Sequence, residues 1–352
     1  MNRIPTILKK KIIQSKGLSL YDYIDFCLYD KKLGYYQNLK NISNDFTTSP
    51  EISQVFGECI AIFFQYVLQS NFSNKNILRI LELGPGNGTL SNDIVRVLSK
   101  KKEIELYLFE ISKELIKKQK LLLKKNYNFK INISWVEKIN FINKKPTLFF
   151  CNEFFDALPI DQFKKESNSW KEKRIFIKNN KLVDSFVKTK KTIPAFYKNT
   201  QNDNIIEYSK LTKKYASIIF NHIEKFGGLF LIFDYGPLKK KTISTIQSIH
   251  CKNKCGILDF PTFSDITYHV DFSFLINLSM KYNLKHFGPL TQNKFLNTFG
   301  IKERVTQLLK STKNTDLKKK IHEDYMRLIS EKSMGDLFKC LIFTNKNLSL
   351  SL

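Results

Sequence analysis

The chain is short of several things that would have pointed it elsewhere. It has no long hydrophobic run: the longest, Ile60 to Leu68, is interrupted by Gln65 and falls well below the ~20 apolar residues of a spanning helix, so no membrane insertion is expected. The first residues are basic but include Pro5 and lack a signal-peptide apolar core. They resemble the start of a transit peptide, yet ordered-looking sequence begins by Leu18 and leaves little to cleave. Cysteine is sparse, and the six (Cys27, Cys59, Cys151, Cys251, Cys255 and Cys340) are scattered through 352 residues. That suits reduced thiols in a cytosol-like compartment and argues against a disulfide scaffold. Cys251-Lys-Asn-Lys-Cys255 with His250 beside it hints at zinc, but no second pair with ligand spacing follows, so no metal is expected. Acidic residues are outnumbered: 32 Asp and Glu face 58 Lys and Arg, for a formal charge of +26. A basic surface attracts polyanions such as nucleic acid. The same charge also follows from nucleotide bias, since Lys, Asn, Ile and Phe are heavily used while Gly, Ala and Arg are scarce. The lysine clusters at residues 9–11, 100–102, 239–241 and 318–320 are spread along the chain, where helix ends or loops are expected. Bias is therefore favoured over a nucleic-acid surface.

Glycine is scarce too, thirteen in all, yet three fall within five residues. The stretch Ile80-Leu-Glu82-Leu-Gly84-Pro85-Gly86-Asn87-Gly88-Thr89-Leu90 reads as an apolar strand ending in an acid, then a tight turn, then a helix start. Glycines at alternate positions let a ligand approach the backbone where a side chain would clash. Dehydrogenase-type dinucleotide sites use G-x-G-x-x-G and seat a pyrophosphate on the helix N-terminus. The spacing here is G-x-G-x-G, and Glu82 would repel a pyrophosphate. A ligand with a cationic amino-acid end fits better, and S-adenosylmethionine is such a ligand. An ordinary strand-to-helix turn is the plain alternative. A second acid weighs against it: Glu110 closes the next strand, 22 residues after Gly88, where nucleotide-binding α/β folds grip ribose hydroxyls. Taken alone, Glu110 could equally cap the helix that begins near Ser112.

Hydrophobic periodicity supplies the frame. Residues 5–29 read as two short helices around Gly17, the second starting at Ser19. Residues 44–51 read as a polar loop opening a helix, with Ser49 as N-cap and Pro50 at the first helical position. Then strands at 77–83, 104–109, 131–136 and 147–151 alternate with helices at 89–99 and 113–125. That alternation predicts an α/β fold with a doubly wound, mostly parallel sheet. Residues 160–188 alternate apolar and polar as an antiparallel hairpin or meander does, and 189–204 is polar loop. A helix near 206–225 leads through Gly227-Gly228 into the strand 229–233, which ends at Asp234-Tyr235-Gly236. Residues 273–331 read as mostly helical and 337–343 as a last strand. The expected organisation is a helical segment over 1–75 packing on the cofactor site, a core over 76–159 and 205–260, a β insertion over 160–204, a helical accessory lobe over 261–331, and a final core strand and tail over 332–352. Ligands of open α/β sheets sit outside the carboxyl ends of the strands. Those ends gather Glu82, Glu110, Asn152-Glu153-Phe154-Phe155-Asp156 and Asp234-Tyr235.

Several blocks together resemble the MidA family of methyltransferases, whose mitochondrial members are protein arginine methyltransferases needed for respiratory complex I assembly. They are Asn44–Glu58 (NDFTTSPEISQVFGE), Leu81–Leu90 (LELGPGNGTL), Asn152–Phe163 (NEFFDALPIDQF), Asp265–Phe272 (DITYHVDF) and Gly288–Ile301 (GPLTQNKFLNTFGI), with weaker matches at Lys32–Tyr36 and Met334–Phe343. The resemblance runs from near residue 17 to near residue 343. One departure is Pro261-Thr-Phe-Ser264, where the family carries a Pro-Gly-Glu-Ala-type turn. The resemblance implies a Rossmann-like class I enzyme with S-adenosylmethionine as cofactor. It implies cofactor contacts from Thr48, Ser49, Glu82, Gly84, Pro85, Gly86, Gly88, Glu110 and Asn152, with the Thr47–Glu51 loop closing over the cofactor unless Ser49 is only a helix cap. Tyr36, Glu51, Asp265 and Asp271 are assigned to substrate.

Methyl transfer to a guanidinium needs carboxylates that orient the cation and offset its charge. Glu153 and Asp156, three apart and expected on one face of a helix start, are the leading clamp; the alternative is that they offset a helix dipole. His269 is a candidate proton acceptor or a structural histidine. Three readings stay open: a protein arginine methyltransferase acting on a respiratory-complex subunit, a nucleic-acid or small-molecule methyltransferase, and a cofactor-binding assembly factor with little chemistry. Against the second, the chain lacks the Asn/Asp-Pro-Pro-aromatic tetrad after the fourth strand and any appended RNA-binding module. A protein substrate, a homodimer and a bacterial cytoplasm in preference to a mitochondrial matrix complete the expectations.

Overall fold

Strands that are apolar on both faces belong in the middle of a parallel sheet, and the chain places them there. The computed structural model describes residues 4–37, 47–71, 77–99, 103–126, 131–139, 144–167, 169–238, 242–348 and 350. It divides into two units: Met1–Phe46, Phe155–Lys214 and Lys239–Phe274 form the first, and Thr47–Phe154, Tyr215–Leu238 and Leu275–Leu352 the second.

The second unit is built on a seven-stranded sheet. Its order is Lys285–Thr291, Phe338–Thr344, Gly228–Tyr235, Thr147–Asn152, Ile77–Leu83, Glu103–Phe109, Ile131–Val136. The five strands from Gly228–Tyr235 to Ile131–Val136 run parallel to one another. Phe338–Thr344 is antiparallel to both its neighbours. The central strands Thr147–Asn152 and Gly228–Tyr235 are buried throughout, whereas the edge strand Ile131–Val136 alternates between half-buried and exposed positions. Helices Gln54–Asn71, Thr89–Leu98, Gln292–Thr298 and Ile301–Ser311 send Phe56, Ile60, Phe64, Ile94, Phe295 and Val305 into one core with Leu106, Phe150, Leu231 and Phe233 from the sheet. On the opposite face Phe220 meets Phe343 at 4.6 Å, and His222 meets Phe149 at 5.1 Å. Alternate residues of one strand, Phe149 and Phe150, thus serve opposite layers. Sequence neighbours flank Ile77–Leu83 on one side and a later strand, Thr147–Asn152, on the other. That reversal is the switch point at which open α/β sheets bind ligands.

The first unit is mostly β. Leu18–Ser19, Ser169–Lys178, Asp161–Glu166 and Ile205–Tyr208 pair antiparallel in that order, and Lys181–Lys188 forms a hairpin with Ser169–Lys178. The hairpin turns through Asn179 and Asn180, both at positive φ (50° and 56°), as a tight two-residue turn requires. A second small sheet pairs Gln247–His250 with Asn253–Cys255 and Asp265–Thr267. Helix Leu20–Tyr29 is capped by the Ser19 side chain, which accepts the Asp22 N–H at 3.1 Å. Its Tyr23, Ile24 and Leu28 enter a core with Tyr35, Ile160, Ile175 and Tyr268.

The architecture departs from the sequence expectation at identifiable places. Residues 205–208 are a strand, because Ile-Ile-Glu-Tyr pairs with Asp161–Glu166, and the helix starts only at Lys210 after Ser209 accepts the Thr212 N–H. The stretch expected to be mostly helical over 273–331 contains the edge strand Lys285–Thr291, and residues from Leu275 onward fall in the unit with the large sheet. Residues 1–75 likewise divide between the two units. The helix expected to open at Ser49 is capped one residue earlier, at Thr48. No helix begins at Glu153. Residues 153–160 are bends, turns and irregular backbone, with the Leu158 N–H closing a turn onto the Phe155 carbonyl at 3.2 Å, and Pro159 disfavours helix in the residue before it. The family-like residues 44–46 and the lysine clusters at 100–102 and 239–241 lie outside the described residues.

Candidate active site

The three glycines of the turn all take positive φ, at 63°, 54° and 87° for Gly84, Gly86 and Gly88. Each answers a different need. A Cβ on Gly84 would stand 2.8 Å from the Phe154 ring, and one on Gly88 would stand 3.2 Å from Gln119. A Cβ on Gly86 would meet nothing within 4 Å, so that side of the turn is open to a ligand. Pro85 closes the turn by accepting the Gly88 N–H at 2.7 Å. The turn is held from outside by Glu51, whose Oε1 accepts from Thr89 Oγ1 at 2.6 Å and Asn87 Nδ2 at 3.3 Å. Glu51 therefore braces the glycine turn, a different task from the substrate contact expected of it. Thr48 stays half-exposed beside it, while Ser49 is fully buried with its hydroxyl donating to Gln292 Oε1 at 3.2 Å. The Ser49 hydroxyl, expected at the cofactor, is engaged in this interior contact.

Four strand ends in this unit do carry polar groups. Glu82 is 2 % exposed and accepts from the Ser91 hydroxyl. Burial pushes its carboxyl up to about 8, against the pull of the Ser91 hydroxyl and N–H. Glu110 has both expected roles open to it. Its Oε1 caps the next helix by accepting the Ile111 and Ser112 N–H groups, both at 2.8 Å, and Oε2 is reached by Gln119 Nε2 at 3.4 Å. Burial raises its pKa, and those donors hold it down. Asn152 ends the fourth parallel strand and donates to Glu153 Oε1 at 2.9 Å; Glu153 itself sits at φ 51° with its N–H on the Phe233 carbonyl. Asp234 is fully buried and accepts the Tyr235 N–H at 2.9 Å.

Glu153 lies at a bend and Asp156 in a turn, so the two share no helix face; the first unit resumes at Phe155. In the first unit, Asp156 and Asp265 are 4 % and 3 % exposed. The Tyr36 hydroxyl donates to Asp265 Oδ1 at 2.9 Å, and the Tyr29 ring lies 5.5 Å from the Tyr36 ring. Burial first, then the charge of Asp265, with Asp156 also contributing, drives the Tyr36 pKa well above 10. The Tyr268 N–H on the Asp156 carbonyl at 3.1 Å joins residues 265–271 to this cluster. His269 is anchored through its backbone N–H to Thr245 Oγ1 at 3.0 Å. Asp271 is occupied otherwise: Oδ1 caps helix Phe272–Met280 at the Phe274 N–H, and Oδ2 accepts from Tyr197. All six cysteines are free thiols. His250 Nδ1 lies 2.8 Å from the Phe263 carbonyl, and among the described residues no group of His, Cys, Asp and Glu could hold a metal.

Residues 59–290 match the family model described as "Putative S-adenosyl-L-methionine-dependent methyltransferase". The chain belongs to that family. Its cofactor is S-adenosylmethionine, and the residues present fit it: an open face over Gly86, a buried carboxylate suited to an ammonium, and a second acid one strand away. The mitochondrial protein arginine methyltransferase NDUFAF7 homolog of Caenorhabditis elegans is 30 % identical over 100 % of this chain and 88 % of its own length. Human mitochondrial protein arginine methyltransferase NDUFAF7 is 29 % identical over 94 % of this chain and 81 % of its own. A Burkholderia thailandensis protein crystallised with S-adenosyl-homocysteine shares the fold, with a TM-score of 0.81 at 21 % identity over 98 % of this methyltransferase and 92 % of that chain.

Two functional groups escaped the sequence reading. Gln119 sits in a lysine- and leucine-rich helix and is nonetheless wholly buried against the glycine turn of the methyltransferase. Phe154 fills the space that Gly84 leaves. The only sequence signal for Gln119 is that it is the lone uncharged polar residue among charged and apolar ones in Lys113–Asn126 before the terminal Asn126.

Proposed function

We propose that this methyltransferase acts on an arginine side chain of a protein. The observation that carries the reading is the first unit's pair of buried carboxylates, Asp156 and Asp265, grouped around the Tyr36 hydroxyl and the Tyr29 ring. Two acidic side chains beside a hydroxyl and an aromatic ring make a setting that suits a cation. A guanidinium supplies one at every working pH and presents a planar fork to carboxylates and a flat face to an aromatic ring. The names of the NDUFAF7 relatives support the same substrate class. The cofactor, when bound, supplies a sulfonium methyl. The chain's own task is to hold one guanidinium nitrogen in line, to exclude water, and to accept the single proton that the methylated nitrogen releases. We assign orientation to Asp156 and Asp265, and proton acceptance to His269. The MidA resemblance adds the narrower proposal that the substrate is a subunit of respiratory complex I, and the scattered placing of the six cysteines along the chain suits a reducing compartment such as a bacterial cytoplasm.

The test uses purified protein, methyl-labelled S-adenosylmethionine and an extract from cells lacking this gene. Label should appear in methylarginine after acid hydrolysis of the protein fraction, and Asp265→Asn should abolish it while S-adenosyl-homocysteine binding persists. Label confined to nucleic acid or small molecules would refute the arginine reading. Cofactor binding with no transfer to any fraction would favour an assembly factor.

A further inference from the structure

Three parts of the second unit meet around one side chain: the glycine turn after Ile77–Leu83, the acid after Glu103–Phe109, and the end of Ile131–Val136. One buried amide touches all three. Gln119 is 0 % exposed. Its Nε2 donates to the Gly86 carbonyl at 2.7 Å and, at a longer 3.4 Å, to Glu110 Oε2. Its Oε1 accepts from Trp135 Nε1 at 2.8 Å. An indole nitrogen can only donate, so Oε1 must face Trp135 and Nε2 must face the two oxygens. The amide therefore has one workable orientation.

That orientation has consequences for both ligand-facing groups. Carbonyl and N–H of one planar trans peptide point in opposite directions. Tying the Gly86 carbonyl to Gln119 therefore turns the Asn87 N–H away from Gln119. Glu110 has Oε1 occupied by two backbone N–H groups, so the remaining oxygen is the one available to a hydroxyl, and Gln119 fixes where it stands. Gly88 belongs to the same arrangement, since a Cβ there would press on the Gln119 side chain at 3.2 Å. Donation to a buried carboxylate also helps keep Glu110 ionised against the effect of burial.

We propose that Gln119 is a positioning residue for the cofactor site, setting the Glu110 carboxylate and the Gly86 peptide together so that ribose recognition depends on it. The inference rests on Glu110 binding the ribose, and the test separates the two claims. Dissociation constants are measured by calorimetry for S-adenosyl-homocysteine and its 2′-deoxy analogue, in the wild type, Glu110→Ala, Gln119→Met and Trp135→Phe. The wild type should prefer the hydroxylated ligand by roughly tenfold or more, the size of one hydrogen bond to a charged group. Glu110→Ala should lose that preference, Gln119→Met should lose most of it, and Trp135→Phe should lose part. A wild type without preference, or Glu110→Ala that keeps it, overturns the ribose reading and the proposal with it. Loss in Glu110→Ala with an intact ratio in Gln119→Met overturns the proposal alone, because a purely structural residue weakens both ligands equally. Should Gln119→Met fail to fold, Trp135→Phe decides: it releases the amide from the half-buried edge of the sheet, and an unchanged ratio there also overturns the proposal.

Discussion

Replacing Glu82 by Gln should make the protein more stable at alkaline pH and a poorer cofactor binder. Burial moves the Glu82 carboxyl from 4.5 to about 8. Between those values the folded state holds a proton that the unfolded state has released, so stability falls as pH rises through that window and levels off above about 8. At 1.36 kcal/mol per pH unit, the distance from 4.5 to about 8 corresponds to about 5 kcal/mol lost in full above the upper value, and about 2 kcal/mol of it is lost between pH 6 and 8. Gln keeps an acceptor for the Ser91 hydroxyl and carries no charge. Any constant cost of its new amide is the same at both pH values, so the pH dependence of the difference isolates the charge. Urea unfolding of both proteins at pH 6 and pH 8.5 should show the variant gaining about 2–3 kcal/mol on the wild type over that interval. Calorimetry on the same samples should show S-adenosyl-homocysteine binding weakened by roughly tenfold or more, since a charge-assisted contact to the ligand ammonium is gone. Wild-type affinity should itself strengthen as pH rises toward 8. If the stability difference is the same at both pH values, Glu82 is not a desolvated carboxylate and the reasoning fails. If the variant binds as tightly as the wild type, the carboxylate is not held for the ligand.

Three further outcomes follow from the same geometry. Gly86→Val should fold, at a cost of about 1–2 kcal/mol for a side chain at φ 54°, yet lose S-adenosyl-homocysteine binding in calorimetry, because its side chain fills the open face of the turn. Gly84→Ala should destabilise by about 1–3 kcal/mol in thermal melts, since its Cβ lands 2.8 Å from the Phe154 ring; adding Phe154→Leu should recover part of that loss. Arg304→Met should cost about 1–3 kcal/mol in urea unfolding, because Glu58, with its side chain 5 % accessible, receives Arg304 Nε at 2.7 Å and Arg96 Nη2 at 2.9 Å, and keeps only the second; activity per folded molecule should be unchanged.

The sheet was legible because its central strands are apolar on both faces and short, which leaves few alternatives. Strands 77–83 and 131–136 were placed to the residue. What escaped depended on partners far along the chain. Lys285–Thr291 fell within a stretch read as mostly helical, but it pairs with Phe338–Thr344 by skipping Gly288 and Pro289 in a bulge between Phe287 and Leu290. Ile205–Tyr208 precedes a strongly periodic helix, and only the facing strand Asp161–Glu166 gives it strand geometry. At the site, the glycine turn and its two acids were readable from spacing. Commitments of side chains were not: Ser49 to Gln292, Glu51 to Thr89, and Asp271 to Tyr197 and the Phe274 N–H are all contacts across long sequence distances or between a cap and its helix. The pair Glu153 and Asp156 shows the opposite failure, where correct spacing suggested a shared helix face that the turn before Pro159 does not provide.

The acids at the strand ends are best ordered by how fully the protein already satisfies them. Glu110 receives two backbone N–H groups on one oxygen and an amide on the other, so its charge is stabilised before any ligand arrives. Glu82 is more deeply buried and receives the hydroxyl and N–H of a single residue, Ser91, and its pKa stands at about 8. A fold indifferent to ligands would gain from replacing such a carboxylate by an amide. Its presence beside an open glycine face is accounted for if the missing stabilisation comes from a bound cation, whereas a neutral hydroxyl suffices for Glu110. We propose that the two acids divide the cofactor between them, amino-acid end to Glu82 and ribose to Glu110. The division predicts that ligands lacking the ammonium will be insensitive to Glu82→Gln and fully sensitive to Gln119→Met, while ligands lacking the ribose hydroxyl will show the reverse.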